Sequence, residues 1–251
     1  MSSLVLDAGR GSLAVEARTG RAQWSGQLTN TGKSLTESVY FSVRDDILTY
    51  RLKPATKLNI ASMAKARGVS LSAVREALAR LTSDGFVVNE PQRGFRVASV
   101  SLADLLDLTE RRVAIEGQCL LRSIQNGSLA WEGRVLASLH ELSRTPVHLQ
   151  NEFNPAWINT HVRFHATLVE ACDSPWLMRI RELLFIHSER YRVLSIHLDR
   201  PHLDAEHHHI AEAAIARDTE RAVALLAEHV KLTAQIILQS ESDGRASPFL
   251  G

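Results

Sequence analysis

Residues 60–87, IASMAKARGVSLSAVREALARLTSDGFV, decide the fold. Two short helical patterns meet across Gly68, which supplies a tight turn. Ala64, Val69, Val74 and Leu78 are expected to face inward, and the small Ala64 lets the two helices approach. This is the pattern of a helix-turn-helix. The outward residues at the start of the second helix are then Ser70, Ser72, Ala73 and Arg75. A helix N-terminus offers unpaired backbone N–H groups and the positive end of the dipole to a phosphate. An arginine there is long enough to reach a guanine edge in the major groove. Glu76 is expected to pair with a nearby arginine, since an acid repels phosphate. Arg80 reads equally as a solvated face residue or a phosphate contact.

After Gly85 the stretch FVVNEPQRGFRVASV loses the helical period and turns around Pro and Gly, which signals a β-hairpin. Its tip carries Arg93 and Gly94, a basic wing suited to a phosphate or a narrow groove. Helix–turn–helix packing also occurs in enzymes. The wing and the charge balance favour DNA. Residues 34–99 hold ten Lys and Arg against six Asp and Glu, whereas residues 100–240 hold fourteen against eighteen. All eleven histidines fall in the second segment. A basic unit followed by an acidic, histidine-rich one predicts two domains with different partners.

Upstream, SLTESVYFSVRDDILTYRL predicts a helix with Leu35, Val39, Val43, Ile47 and Leu48 on one face and Ser34 or Thr36 as N-cap. Residues 1–33, rich in Gly, Ser, Thr and Arg, read as a flexible arm, and residues 241–251 as a flexible tail. From Ser101 the pattern is helical, opening on a Ser-x-x-Asp start that resembles a capping box and stopping at Asn126-Gly127. Helices are expected at about 128–144, 153–171, 175–197, 203–217 and 219–240, with Pro175 ending the helix before it. The fold class is therefore mainly α: an N-terminal winged helix-turn-helix (34–99) followed by an all-helical bundle of about six helices (100–240). No run of about 18 apolar residues predicts a membrane span. Cys119 and Cys172 lie on apolar helical patterns and imply no disulfide framework. A cytoplasmic location is the expectation.

His161 and His165 stand four apart, a spacing that puts both rings on one helix face and can present them to one ion. His207 and His229 lie on either side of the break at ARD, and a helical hairpin there would bring them together. Of the run His207-His208-His209, His207 is three residues from Ile210 on the buried face, His208 is turned about 100° toward water, and His209 is ambiguous. His140, His148, His187, His197 and His202 read as surface or unassigned. A single interior histidine is more often a hydrogen-bonded core residue than a ligand.

The stretch PATKLNIASMAKARGVSLSAVREALARLTSDGFV resembles the amino-terminal domain of GntR-family bacterial repressors, in the FadR-like subgroup. GVS, VREAL, RL and DGFV keep the family's register over about residues 35–100. Ala55 replaces the usual glycine, and Leu71 stands where many members carry a DNA-contacting arginine, which implies altered operator readout. Residues 101–236 resemble the subgroup's FCD ligand-binding domain, through HVRFH, EHHHI and AVALLAEHV. The resemblance implies a metal held by one aspartate and three histidines, at positions that here are His161, His165, His207 and His229. His161 stands in the aspartate's place. Imidazole suits a borderline ion such as Zn²⁺ or Ni²⁺, and the lost carboxylate makes Mn²⁺ less favoured. An anionic ligand held on the histidines with no metal is also open.

The family's Arg and Glu four apart on the first bundle helix match Arg112 and Glu116, implying that Arg112 grips an acidic effector. An interhelical salt bridge accounts for the pair equally well. Of the arginines in SERYRVLS, Arg190 is assigned to the cavity. ACDSPWL followed by SERYRVLS resembles the branch related to the carbon-starvation repressor of glutarate catabolism, which implies a small carboxylate effector. The resulting reading is a homodimeric repressor on operator DNA with no catalytic residues. The alternative is a metal-dependent hydrolase or oxygenase, which needs a general base beside the metal. Glu206 and Glu228 are the adjacent carboxylates, and both are expected to point away. A scaffold with an inert histidine cluster is a third option.

Overall fold

A computed structural model of the chain describes residues 34–150, 152–195 and 203–242. The expected arm, most of the tail, His197 and His202 lie outside the described residues. The N-terminal unit runs α1 (Leu35–Leu48), β1 (Lys57–Leu58), α2 (Ile60–Arg67), α3 (Leu71–Ser83), β2 (Val87–Glu90) and β3 (Gly94–Val97). Ser34 is the N-cap of α1, its hydroxyl accepting from the Glu37 N–H. Val39, Val43, Ile47 and Leu48 are buried as expected, but Leu35, on the first turn, is exposed. Gly68 ends α2 in the left-handed conformation at φ 63°, where a glycine carries no Cβ penalty. Asn59 and Ser70 cap α2 and α3. Val74, Ala77, Leu78 and Leu81 of α3 are fully buried against α1 and the sheet.

The hairpin β2–β3 forms the wing, pairing Val87 with Val97 and Glu90 with Gly94. The sheet has a third strand that the periodicity did not reveal: β1 pairs with the outer edge of β3, Leu58 opposite Phe95. Two residues are too short to carry an alternating pattern.

The second unit contains, among the described residues, six helices and one small hairpin. They are α4 (Leu102–Asn126), α5 (Leu129–Ser143), β4 (His148–Leu149), β5 (Glu152–Phe153), α6 (Pro155–Leu168), α7 (Pro175–Ser195), α8 (Leu203–Ile215) and α9 (Thr219–Ser242). Ser101 caps α4 by accepting from the Asp104 N–H. The β4–β5 hairpin falls where a plain loop is expected. Pro175 does not end the histidine helix: α6 stops at Leu168, and Pro175 opens α7. The first helical position suits proline, whose missing N–H would be unpaired there anyway. Residues 241 and 242 continue α9, so the helix outlasts the expected boundary by about half a turn.

The bundle core gathers Leu120, Trp131, Val135, Phe164, Leu168, Ile210 and Leu226. The buried Trp131 indole donates to the Thr167 carbonyl at 3.0 Å. Arg217, in the turn between α8 and α9, donates to the carbonyls of Ile124 and Gly127 and pairs with Glu132. That clamp ties the α8–α9 hairpin to the end of α4.

The two units meet through α7. Ile186 packs against the core of the DNA-binding unit. The His187 ring stacks on Phe86, centroids 4.4 Å apart, and its Nε2 lies 2.7 Å from the Asp84 carbonyl. Burial pushes the His187 pKa down, so the ring is neutral and Nε2 donates. Asp84 is the C-cap of α3. His187, unassigned from the sequence, thus holds the end of the recognition helix.

His187→Ala removes one hydrogen bond, worth about 1 kcal/mol, and a stacked ring, worth about 0.5–1.5 kcal/mol. The expected outcome is a lower unfolding midpoint for the N-terminal unit in calorimetry, by several degrees, with the bundle transition unmoved. An unchanged midpoint would contradict the docking described here.

Candidate nucleic-acid interface and metal centre

The start of α3 presents Ser70, Leu71, Ser72 and Arg75 to solvent. The Ser70 hydroxyl accepts from the Ala73 N–H at 3.2 Å and lies 2.9 Å from the Ser72 hydroxyl. Ala73 itself is a correction. It is 7% exposed, on the inward stripe with Val74, Ala77 and Leu78, so its methyl group is core and not part of the outer face. Its N–H is also spent on the Ser70 cap. Arg93 and Gly94 are exposed at the wing tip, with Gly94 at φ 88°, a conformation that glycine adopts without strain. Glu76, expected to pair with an arginine, accepts from the Thr36 hydroxyl at 3.2 Å among the described residues, linking α3 to α1. Arg80 lies over the Tyr40 ring, its guanidinium carbon 3.9 Å from the centroid. The Tyr40 hydroxyl in turn donates to Asp84 at 2.6 Å.

In the bundle, His161 and His165 project from α6, His207 from α8 and His229 from α9. All four are between 1% and 6% exposed. Each can place one ring nitrogen so that the four atoms lie within 4.8 Å of one another. Ring centroids are 4.5 Å apart for His161 and His165, 4.7 Å for His207 and His229, and 5.0 Å for His165 and His229. Trp157 stacks on His161 at 4.7 Å, and Phe164 meets His165 and His207 edge to face. His208 bonds its own helix through the Asp204 carbonyl, and His209 faces solvent. His207 is therefore the member of the triple run that enters the cluster.

Burial, then the neighbouring histidines and arginines, holds the pKa of both His161 and His165 well below the ordinary imidazole range. Both rings are neutral, with lone pairs to offer. His161 Nδ1 and both nitrogens of His165 have no hydrogen-bond partner among the described residues. Buried polar atoms without partners call for an explanation, and a bound ion is one that fits. Four imidazole donors at this separation match the donor set and coordination number of a borderline divalent ion.

The carboxylates divide differently from the expectation. Glu228 is exposed and pairs with Lys231. Glu206 does not point away: its Oε2 lies 2.7 Å from His229 Nδ1.

Arg112 donates through Nε to Glu116 at 2.8 Å, a salt bridge within α4 and not the interhelical one expected of that pair. A partner from another helix joins it, Arg181 of α7, 3.4 Å from the second carboxylate oxygen. Burial alone would push the Glu116 carboxyl up, but Arg181 and Arg112 outweigh it and hold its pKa below the usual range. Both guanidinium groups also lie against the Phe185 ring, that of Arg112 4.6 Å and that of Arg181 4.3 Å from its centroid. Arg192 forks onto Glu189, with Nε 2.8 Å from Oε1. Arg190 is a correction: it donates to the Ala98 carbonyl at the foot of the wing, away from the histidines. On α7 it is turned about half a revolution from Arg181 and Arg192, which are eleven residues apart and share a face. That spacing was the signal for Arg181, whose place beside the cluster the sequence reading missed.

A basic winged helix-turn-helix joined to a helical bundle with a buried polar centre is the architecture of a DNA-binding regulator. Residues 35–97 match the family described as "Bacterial regulatory proteins, gntR family", and residues 107–232 match the FCD domain. The HTH-type transcriptional regulator BphR of Paraburkholderia xenovorans is 37% identical over 82% of this chain and 86% of its own length. The HTH-type transcriptional repressor GlaR of Escherichia coli is 32% identical over 80% of this chain and 94% of its own. Among solved structures, E. coli McbR/YncC superposes with a TM-score of 0.71 at 22% identity, covering 84% of this chain and all of that one. The chain belongs to the GntR family of DNA-binding transcriptional regulators and carries an FCD domain. The family is one of transcription regulators, not of enzymes, which sets aside the hydrolase and oxygenase alternative.

The neutral rings make stability depend on pH. The folded pKa values of His161 and His165 lie below the unfolded value of about 6.5, so the unfolded chain binds more protons. Their contribution is present above pH 6.5 and is lost as pH falls toward the folded values. Thermal melts in excess chelator are expected to show a falling midpoint between pH 7 and pH 5; a flat profile would mean that the rings are not buried neutral.

Proposed function

We propose that this chain is a cytoplasmic, homodimeric repressor that a small carboxylate metabolite releases from operator DNA. His161, His165, His207 and His229 hold a divalent ion, Zn²⁺ or Ni²⁺. When bound, the ion supplies a Lewis-acidic anchor for an effector oxygen. The buried arginines flanking the cluster, Arg112 and Arg181 on one side and Arg192 on the other, make the site electropositive and suit an acidic ligand. Glu116 and Glu189 orient those guanidinium groups.

The observation that carries the reading is the double engagement of α7. Arg181, Phe185 and Arg192 face the histidine and arginine centre. Ile186, His187 and Arg190 face the DNA-binding unit, reaching the cap of α3 and the foot of the wing. An effector that binds better to one placement of α7 shifts the population of recognition-helix geometries. No bond is made or broken, so no turnover is expected.

On the DNA side, Arg75 reads a base edge, Ser70, Ser72 and the α3 N-terminus hold phosphate, and Arg93 and Gly94 approach the groove beside them. Exposed Leu71 suits the methyl group of a thymine. Homodimerisation is supported by an apolar stripe on α7, where Trp176 is 72% exposed in line with Ile180 and Leu183. Two copies related by a two-fold axis present two wings to a pseudopalindrome. The repressor role is the one printed in the names of two relatives, GlaR and RspR. No described helix is long and apolar enough to cross a membrane.

The test is a gel shift of the metal-loaded protein on its own upstream DNA, with mono- and dicarboxylic acids added in turn. Release by one of them is expected, with a matching rise in melting temperature. Arg75→Ala is expected to weaken DNA binding roughly tenfold or more with metal content unchanged. His207→Ala is expected to cut metal content and effector response with DNA affinity unchanged. Loss of DNA binding in the histidine variant and none in the arginine variant would overturn this division of labour.

A further inference from the structure

We infer that Glu206 is the positioning residue of the metal centre, fixing the His229 ring so that Nε2 faces the cluster and lending the four-imidazole set a negative charge. The inference rests on the metal reading proposed above.

The geometry is specific. Glu206 Oε2 lies 2.7 Å from His229 Nδ1, bridging α8 to α9. The His229 side chain is 5% exposed and that of Glu206 19%, so the contact is shielded while the carboxylate keeps some access to water. An ionised carboxylate only accepts, so Nδ1 carries the proton and the lone pair sits on Nε2. This is the tautomer a ligating ring needs. Glu206 immediately precedes His207, so two consecutive residues of α8 supply one ligand and the clamp on another.

Other parts of the cluster are held differently. His161 is fixed by stacking on Trp157, and His165 lies among Phe164, Phe185 and the other imidazoles. The remaining buried carboxylates near the centre are committed elsewhere: Glu116 faces Arg112 and Arg181, and Glu189 faces Arg192. Three guanidinium groups against those two carboxylates leave a positive excess that opposes a further cation. Glu206 approaches through His229 and offsets part of that excess. A carboxylate hydrogen-bonded to a ligating imidazole also raises the basicity of the ring and fixes its orientation.

The test is zinc affinity of the full chain, measured by competition with a chromophoric chelator, for wild type, Glu206→Gln and Glu206→Ala. Removing such an outer carboxylate weakens metal binding about 10- to 100-fold. Both variants are expected to fall in that range, with alanine the weaker. Their melting points in excess chelator and their affinity for upstream DNA are expected to match wild type. In the cobalt-substituted protein, the visible bands of wild type and Glu206→Gln are expected to differ in position. Zinc affinity within twofold of wild type in either variant overturns the inference. So does a lowered melting point in chelator that accounts for the zinc loss, because that marks a folding role. A wild-type chain that takes up no zinc overturns this inference and the metal reading together, whereas zinc-binding wild type with unaffected variants overturns this one alone.

Discussion

His161 and His165, buried against two further imidazoles and a set of guanidinium groups, are held neutral, because a protonated ring there would have no water to screen it. The sequence meets that condition by placing two histidines four apart on α6 and one each on α8 and α9, then burying all of them among Trp157, Phe164 and Phe185. Neutral rings with inward lone pairs are ligands in waiting. The same burial is costly without a partner for the ring nitrogens, and an ion shared by all four is the economical way to satisfy them. The clamp of Arg217 matters here, since it fixes the hairpin that carries His207 and His229 to the end of α4 and the start of α5.

The second constraint is that α7 has two occupied faces. One face carries the arginines and Phe185 toward the buried centre. The other carries Ile186, His187 and Arg190 into the winged unit. On the proposed reading, an effector that moves this 21-residue helix at one face also moves the other. The contact with Asp84 is at the cap of the recognition helix, so small changes in α7 bear on the element that meets DNA. Coupling between sites needs an element with more than one placement, and among the described residues α7 packs against both.

Most of the architecture was legible in the periodicity. The bundle helices fall within a few residues of their expected bounds, because long amphipathic patterns with clear caps leave little freedom. The short strands β1, β4 and β5 were not legible, since two residues carry no alternation. Helical phasing placed His207 inward correctly, but His208, expected toward water, is half-buried and His209 is the exposed member of the run. Phasing also placed Glu206 wrongly, because the angle of a residue on its own helix does not say what a second helix brings to meet it. The same limit explains Arg190 and Arg181: their spacing puts them on opposite sides of α7 but does not say which side meets the histidines. Ala73 was misplaced for a simpler reason, a rotation of one residue in the inward stripe of α3.

The claim on which the account turns is that the four imidazoles share one ion. X-ray absorption at the metal edge of the natively purified chain tests it most directly. The account predicts four nitrogen or oxygen ligands at about 2.0–2.1 Å with the multiple-scattering signature of imidazole. A chain purified without stoichiometric metal, or a first shell containing sulfur or lacking imidazole, would contradict it.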